Sequence, residues 1–245
     1  MTPILQPSGI ISPDLQGDAP SHTQEVRLGF PGMESRTPAT DILLFDDSWS
    51  LRVEGGNDPV GNRYAEARAV IEHLARWTHA DNAQIAVGHF DHPEVALVGP
   101  HPFHKKAGLT KILDALKEPS GVVGSSTLLP VLQAAAKLAR SLPEQPIRLT
   151  IFSDFELTDP NLGQTYEELA RFPGAIHAVV LNADPDVRLG LLPNVTVTRM
   201  ASDSPTGLAS AALFQSLTAG RLGVHRPKMT TKRAPRRPRP ANRAS

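Results

Sequence analysis

Residues Asp41–Ser50 read DILLFDDSWS. The four apolar residues Ile42–Phe45 show no alternation with polar ones, and the run stops abruptly at Asp46 and Asp47. That is the pattern of a strand covered on both faces, which belongs to a parallel sheet with helices on either side. Apolar spacing predicts a helix over Asn62–Thr78, with Ala67, Val70, Ile71, Leu74 and Ala75 on its inner face. Gln84–Phe90 (QIAVGHF) reads as the next strand, with Glu94–Val98 its antiparallel partner across Asp91-His92-Pro93. A short helix over Leu109–Leu116 follows, then a longer one over Ser126–Ser141, with Pro130 early enough to be tolerated. Ile147–Phe152 (IRLTIF), Ile176–Leu181 (IHAVVL) and Val195–Met200 read as strands; Tyr166–Arg171 and Gly207–Ala219 read as helices. Strands alternating with helices imply βαβ units. The expected fold class is therefore α/β: a Rossmann-like, doubly wound, mostly parallel sheet with helices on both faces and one antiparallel edge strand.

Composition agrees with an ordinary globular chain. Of 245 residues, 40% are hydrophobic and 18 are Gly, which excludes collagen, coiled coil and a fully disordered chain. No apolar run approaches the ~18 residues of a membrane-spanning helix, and the opening MTPILQPSGIISPDLQG lacks the basic start and long apolar core of a signal peptide. Cysteine is absent, which removes disulfides, thiolate metal sites and cysteine nucleophiles together. The expected compartment is the cytoplasm, with no membrane contact. The 23 prolines crowd toward the flanks and divide the chain into an irregular lead over 1–39, a folded unit over 40–220 and a tail over 221–245.

The net charge of zero hides an asymmetry. The last twenty residues, RPKMTTKRAPRRPRPANRAS, hold eight of the 25 basic residues and no acid, so residues 1–225 carry 17 basic against 25 acidic groups, a net of −8. The tail carries four Pro and only Met229 as a large apolar residue, so it cannot bury a core and is expected to be disordered. Such a block reads as a solubilising end or as an electrostatic tether, to nucleic acid among other partners. It has no aromatic residue on which a base could stack.

In an open α/β sheet, ligands bind beyond the carboxyl ends of the strands, so what each strand ends with decides the chemistry. The first ends in Asp46-Asp47-Ser48-Trp49-Ser50, which is D-x-S-x-S. The turn before the Ser126–Ser141 helix supplies Gly124-Ser125-Ser126-Thr127, and the Ile147–Phe152 strand ends in Ser153-Asp154-Phe155-Glu156. Asp46, Ser48, Ser50, Thr127 and Asp154 thus bring two carboxylates and three hydroxyls to one edge. Oxygen donors without nitrogen or sulfur suit a hard cation such as Mg²⁺. Neutral hydroxyls leave that cation under-compensated, Asp46 and Asp154 balance it partly through water, and an open position then attracts an outside carboxylate. This set suits ligand capture and offers no evident base or nucleophile for turnover. Asp47 reads either as a neighbour supporting the site from behind or as a solvated residue. Trp49 reads either as an exposed aromatic anchor or as part of its own scaffold.

These residues resemble the von Willebrand factor A domain family and its metal-ion-dependent adhesion site. Asp46, Ser48 and Ser50 match the D-x-S-x-S loop, Thr127 followed by Leu129 matches the threonine loop, and Asp154 matches the aspartate after the fourth strand. The resemblance covers roughly residues 40–220. It implies a Mg²⁺ or Mn²⁺ site and capture of an Asp or Glu from a partner protein, without catalysis. For an intracellular member it implies a subunit of an assembly or regulatory complex, among which are partners of ATPases. Two positions depart from the family pattern. Its Gly after the last aspartate is Phe155 here, and its Gly-Gly before the threonine is Ser125-Ser126.

Competing readings are narrower. A Mg²⁺-dependent phosphotransferase or hydrolase using Asp46 is the enzymatic alternative, although the haloacid-dehalogenase pattern wants an aspartate where Ser48 stands. A nucleic-acid-associated protein acting through the basic tail is another. His89-x-x-His92 and His101-x-x-His104 have a zinc-like look, but alternate strand positions diverge and His101 and His104 flank Pro102-Phe103 in an expected loop, so they read as surface histidines. Asn194-Val195-Thr196 is a glycosylation sequon that means nothing without secretion, and no P-loop pattern is present.

Overall fold

Ile42, Leu43, Leu44 and Phe45 are all fully buried, as the unbroken apolar run demands. They form the end of β1 (Ala39–Phe45), and their side chains go alternately to two cores. Leu43 and Phe45 enter one core, while Ile42 and Leu44 enter the other. The computed structural model describes residues 28, 30–34, 37–52, 58, 63–79, 82–90, 97–117 and 124–221. Most of the expected lead and of the basic tail, together with His92 and the start of the Glu94–Val98 strand, lies outside those residues.

After β1 come α1 (Trp49–Arg52), α2 (Arg63–Ala75), β2 (Ala83–His89), β3 (Val98–Pro102), α3 (Lys106–Ala115) and α4 (Leu129–Arg140). Then follow β4 (Ile147–Ser153), α5 (Leu162–Arg171), β5 (Ala175–Leu181), α6 (Val187–Leu191), β6 (Val195–Met200) and α7 (Leu208–Thr218). The six strands lie in the order β3-β2-β1-β4-β5-β6. Only β3 runs antiparallel to its neighbour. One core is closed by α2, α3 and α7, and the other by α4, α5 and α6. This is the expected doubly wound sheet. Among the described residues, no helix is long and apolar enough to cross a membrane.

Three details shift from the sequence reading. The described edge strand is Val98–Pro102, which shares Val98 with the expected Glu94–Val98 strand, and His101 sits in it opposite Ile85. Pro100 and Pro102 suggest a loop, yet an edge strand pairs on one side only and tolerates a missing N–H. Gly99 makes the pairing possible: at φ +113, a Cβ there would sit 2.6 Å from the Ile85 carbonyl, where the ladder is irregular. The fourth helix begins at Leu129, leaving Ser126–Leu128 as a loop. Two short helices, α1 and α6, have no clear periodic signal in the sequence.

Two contacts fix the ends of the sheet. At the amino edge, Arg148 donates from Nε and Nη2 to both carboxylate oxygens of Asp41, at 2.6 and 2.8 Å. Such a two-pronged pair tolerates burial better than a single contact. At the carboxyl edge, the Phe45 ring stacks on Phe152 at 5.1 Å and on Tyr64 at 4.9 Å. Each fully buried ring of that kind contributes on the order of 2–3 kcal/mol. Phe45 and Phe152 are register partners on β1 and β4, so their packing sets the residues that follow side by side.

Candidate functional site

The strand order reverses direction at β1. From there the chain winds outward through β2 to β3 on one side, and through β4, β5 and β6 on the other. The crevice beyond the carboxyl ends of β1 and β4 is therefore the topological switch point, where open α/β sheets bind ligands. Asp46 follows β1 and Asp154 follows β4 at that crevice.

Asp46 extends the ladder by one bond, donating its N–H to the Phe152 carbonyl at 2.9 Å. Its carboxylate is fully buried. Oδ1 accepts the Ser48 N–H at 2.9 Å, closing a turn that an Asp side chain favours. Oδ2 accepts the Ser153 hydroxyl at 2.5 Å. Burial pushes the Asp46 carboxyl up to about 6, with the Asp154 charge adding to it and the Ser153 and Ser48 hydrogen bonds opposing it. With both oxygens engaged and no exposed surface, Asp46 is poorly placed as a nucleophile.

The turn at Asp46 aims Ser48 and Ser50 at one another, with oxygens 3.0 Å apart. Ser50 donates to Asp154 Oδ2 at 2.6 Å. A hydroxyl has one proton, so Ser48 is the donor to Ser50 and the chain runs Ser48 to Ser50 to Asp154. Asp154 is itself fully buried and takes the Glu156 N–H on Oδ1 at 3.1 Å. Four of the five residues expected from sequence are thus joined by hydrogen bonds.

Thr127 lies on the loop that meets this group. Gly124 pairs with Ser48 in a parallel bridge. The loop is then held from both sides of Thr127: the Ser126 carbonyl accepts the Thr158 N–H at 3.1 Å, and Asp159 accepts the N–H groups of Leu128 and Leu129 at 3.1 and 2.7 Å. Both anchors come from the segment after Asp154, so the threonine loop and the aspartate loop are built as one unit. The Thr127 hydroxyl itself pairs with Ser125 Oγ at 2.8 Å and does not extend the Ser48–Ser50–Asp154 chain.

Several neighbours differ from expectation or escaped it. Asp47 is not solvated: it is 3% exposed and turns away from Asp46 toward Arg63, Tyr64 and His89. His89 is not a surface histidine; it is buried against Asp47 and the Ala115 carbonyl. Trp49 is 63% exposed, because the two serines flanking it are tied to the interior contacts. Phe155 stands at φ +57, the left-handed region that glycine enters freely. Its ring is buried in the α4–α5 core, and that burial offsets a backbone cost of about 1–3 kcal/mol. Ser153 and Asp159 were missed: a serine ending a strand and an aspartate in a proline-containing loop look like caps, and only the fold turns them onto the site.

The donors fit a hard cation: two carboxylates and several hydroxyls, without nitrogen or sulfur. Among the described residues, no group of three or more His, Cys, Asp or Glu is arranged as a metal centre, and His92 of the zinc-like pattern lies outside them. A set with only two carboxylates falls outside that kind of centre.

No family model and no curated protein sequence matches the chain. Solved structures match its fold. A pilus adhesin, SpaC of Lactobacillus rhamnosus GG, superposes with a TM-score of 0.61 at 12% identity, covering 77% of this chain and 31% of the adhesin. The same adhesin in an open conformation gives 0.56 at 11% identity, covering 77% and 30%. A von Willebrand factor type A protein of Catenulispora acidiphila gives 0.50 at 14% identity, covering 75% and 42%. The chain spans less than a third of the adhesin chains it matches. At these identities the likeness concerns architecture: the chain has the von Willebrand factor A fold.

Proposed function

We propose that this chain uses its von Willebrand factor A scaffold as a metal-dependent protein-interaction module. Ser48, Ser50 and Thr127 would hold Mg²⁺ or Mn²⁺, with Asp46 and Asp154 balancing its charge. When bound, the cation supplies an open coordination position to an Asp or Glu of a partner protein. The observation that carries this reading is the hydrogen-bonded run Ser48–Ser50–Asp154 beside the buried carboxylate of Asp46, at the switch point of the sheet. The buried Asp46 carboxylate, met by the neutral donors Ser48 and Ser153, is costly to ionise without a counter-charge, and a divalent cation is the counter-charge this donor set suits. The exposed Trp49 indole stands between two of the hydroxyl residues, where an aromatic side chain adds apolar contact to a captured acid.

In this reading the chain is a non-catalytic subunit of an intracellular assembly or regulatory complex, an ATPase partner among the candidates. The engaged oxygens of Asp46 argue against the phosphotransferase or hydrolase alternative. The basic tail is a separate element whose contact with nucleic acid is a question for salt titration. The direct test is calorimetric titration of the full chain with Mn²⁺, alongside Asp46→Ala. Saturable binding at one site, lost in the variant, is expected; no binding to the unmodified chain would remove the metal from the reading. Capture of a host protein with Mg²⁺, released by EDTA and absent with Asp46→Ala, is the corresponding partner test.

A further inference from the structure

Phe30, Trp49 and Trp77 are the exposed aromatic side chains of the chain; its other Phe, Trp and Tyr residues are buried. Trp49 belongs to the candidate site. Phe30 and Trp77 pack on one another at the opposite edge of the sheet, edge to face with ring centroids 5.1 Å apart. Trp77 lies between the end of α2 and the start of β2, which places it at the amino edge. Aromatic rings usually dominate cores and interfaces, yet Phe30 is 52% exposed and Trp77 44%. The function proposed above makes no use of them.

The chain returns to this pair after α7. Arg221 donates from Nη2 to Thr78 Oγ1 at 2.6 Å and from Nη1 to the Trp77 carbonyl at 3.4 Å. Residues 222–245 therefore start beside the two rings. They include the eight basic residues of the block from Arg226 onward and no acid, against a net charge of −8 for residues 1–225. Arg226 is five residues past Arg221, so its Cα stays within about 18 Å of that anchor whatever the backbone does. Pro227 and Lys228 follow at once. Both cations and prolines suit an open aromatic face. A guanidinium or ammonium group is drawn to the electron-rich face of a ring, and extended proline-rich segments dock on aromatic surfaces. In the three-residue repeat of such a segment, Arg233, Arg236 and Arg239 fall in one row and Pro235 and Pro238 in another. A segment tethered this close meets the rings at an effective concentration in the millimolar range, so a contact too weak to hold a separate partner is enough.

We propose that the basic segment over 222–245 docks on the Phe30–Trp77 face of its own domain. Its cations and prolines cover the two rings, and the charge of the acidic body holds it there. Glu34 and Asp41, which attract Arg221 against the repulsion of Arg148, extend that field to the amino edge. The opposite edge also offers acids and an exposed indole, at Asp46, Asp154 and Trp49, but only to a segment that has first crossed the sheet. The seven residues of β1 make that crossing about 23 Å, and every residue ordered along it costs conformational entropy. The rings at the point of attachment need no crossing. Docking at the amino edge does not depend on a metal.

The chain has no cysteine, so Ala234→Cys gives a unique site for a nitroxide label on the full chain. The two indole N–H signals, assigned by Trp49→Phe, then report one edge each: Trp77 the amino edge and Trp49 the candidate site. Without divalent metal, the Trp77 signal is expected to lose most of its intensity and the Trp49 signal little, relative to the same protein after the label is reduced. Salt at about 0.5 M, where screening acts within a few ångströms, is expected to return part of the Trp77 signal. Arg233→Gln, Arg236→Gln, Arg237→Gln and Arg239→Gln together keep the length of the tether and are expected to return most of it. Phe30→Ser, at an exposed position, is expected to act in the same direction. Equal loss at Trp77 in the glutamine variant is the mark of an undocked coil and overturns the proposal. Stronger loss at Trp49 moves the segment to the other edge and overturns it as well. Loss that appears only when labelled chains are mixed with separately isotope-labelled ones assigns the rings to a second copy, with the same result.

Discussion

Asp46 makes the metal-free protein sensitive to pH in a direction opposite to the usual behaviour of native carboxylates. Its carboxyl is raised from 3.8 to about 6 by burial. Between those values the native state holds more protons than the unfolded state, so the unfolding free energy falls as pH rises through that window. At about 1.4 kcal/mol per pKa unit, the loss amounts to roughly 3 kcal/mol and is complete near pH 7. For a folded unit of this size that corresponds to about 6–12 °C in Tm. Other groups titrate too, so the comparison is with Asp46→Asn, which keeps the shape and drops the ionisation. Urea unfolding of both proteins in EDTA, from about pH 4.5 to 7.5, is expected to show the unmodified chain losing about 2 kcal/mol relative to the variant, the part of the effect that falls inside this range. Adding Mg²⁺ or Mn²⁺ at neutral pH then restores it, because a cation stabilises the ionised carboxylate as the proton does the neutral one. At about a hundred times its Kd the cation contributes about 2.7 kcal/mol, and Asp46→Asn gains little. Parallel pH curves would refute the burial argument. A full pH effect with no response to metal would leave the buried charge real and remove the cation from its explanation.

Further expectations are smaller. Thr127→Ala weakens Mn²⁺ binding by calorimetry while lowering stability in urea by less than about 0.5 kcal/mol, since among the described residues its hydroxyl meets only Ser125. Phe155→Gly relieves a backbone at φ +57 but empties a buried ring position, for a net destabilisation of about 2 kcal/mol in urea unfolding. A stabilised variant would mean that the ring contributes little. Glu66→Ala removes the carboxylate that accepts the N–H groups of Gly207 and Ser210 at 2.8 and 2.7 Å at the start of α7, and costs about 1–2 kcal/mol in the same assay.

Much of this arrangement is legible in the sequence because its signals are periodic. Ile42–Phe45 has no polar alternation and turns out to be buried on both faces, and Val195–Met200 falls on β6 residue for residue. Sites at strand ends inherit that legibility: once β1 and β4 are found, Asp46 and Asp154 follow by position. What the pattern hides is whatever depends on a distant partner. Val98–Pro102 looks like a loop because its prolines are acceptable only at an edge. Ser153 and Asp159 look like ordinary caps, and their use depends on the approach of β1 and of the Thr127 loop. His89 reads as one of several scattered histidines because nothing local reveals that the end of α3 meets it.

The adjacent pair Asp46 and Asp47 shows why spacing alone misjudges roles. Both are buried carboxylates on one turn, and a fold that placed both at one point would face a large like-charge penalty. The backbone separates them. Asp47 turns toward Arg63, Tyr64 and His89, while Asp46 turns toward Ser48 and Ser153, which are neutral donors. Arg63 lies close enough to serve either, yet it meets Asp46 only at the main-chain carbonyl and directs its remaining contacts to Asp47 and Asp58. Asp47 thus has the Arg63 cation beside it, and Asp46 meets neutral donors. Had Arg63 faced the Asp46 carboxylate, burial would have cost less and the proposed cation would have had less to neutralise there. In the function proposed above, that division leaves the Asp46 carboxylate, with Asp154, to meet a ligand. It also predicts an asymmetry that a single experiment reads: removing the cation by Arg63→Met should loosen the loop through Asp47, whereas added Mg²⁺ should act through Asp46 alone. Amide exchange around Ser48 in Arg63→Met, with and without Mg²⁺, tests it; complete recovery by the metal would show that the two carboxylates share one counter-ion after all.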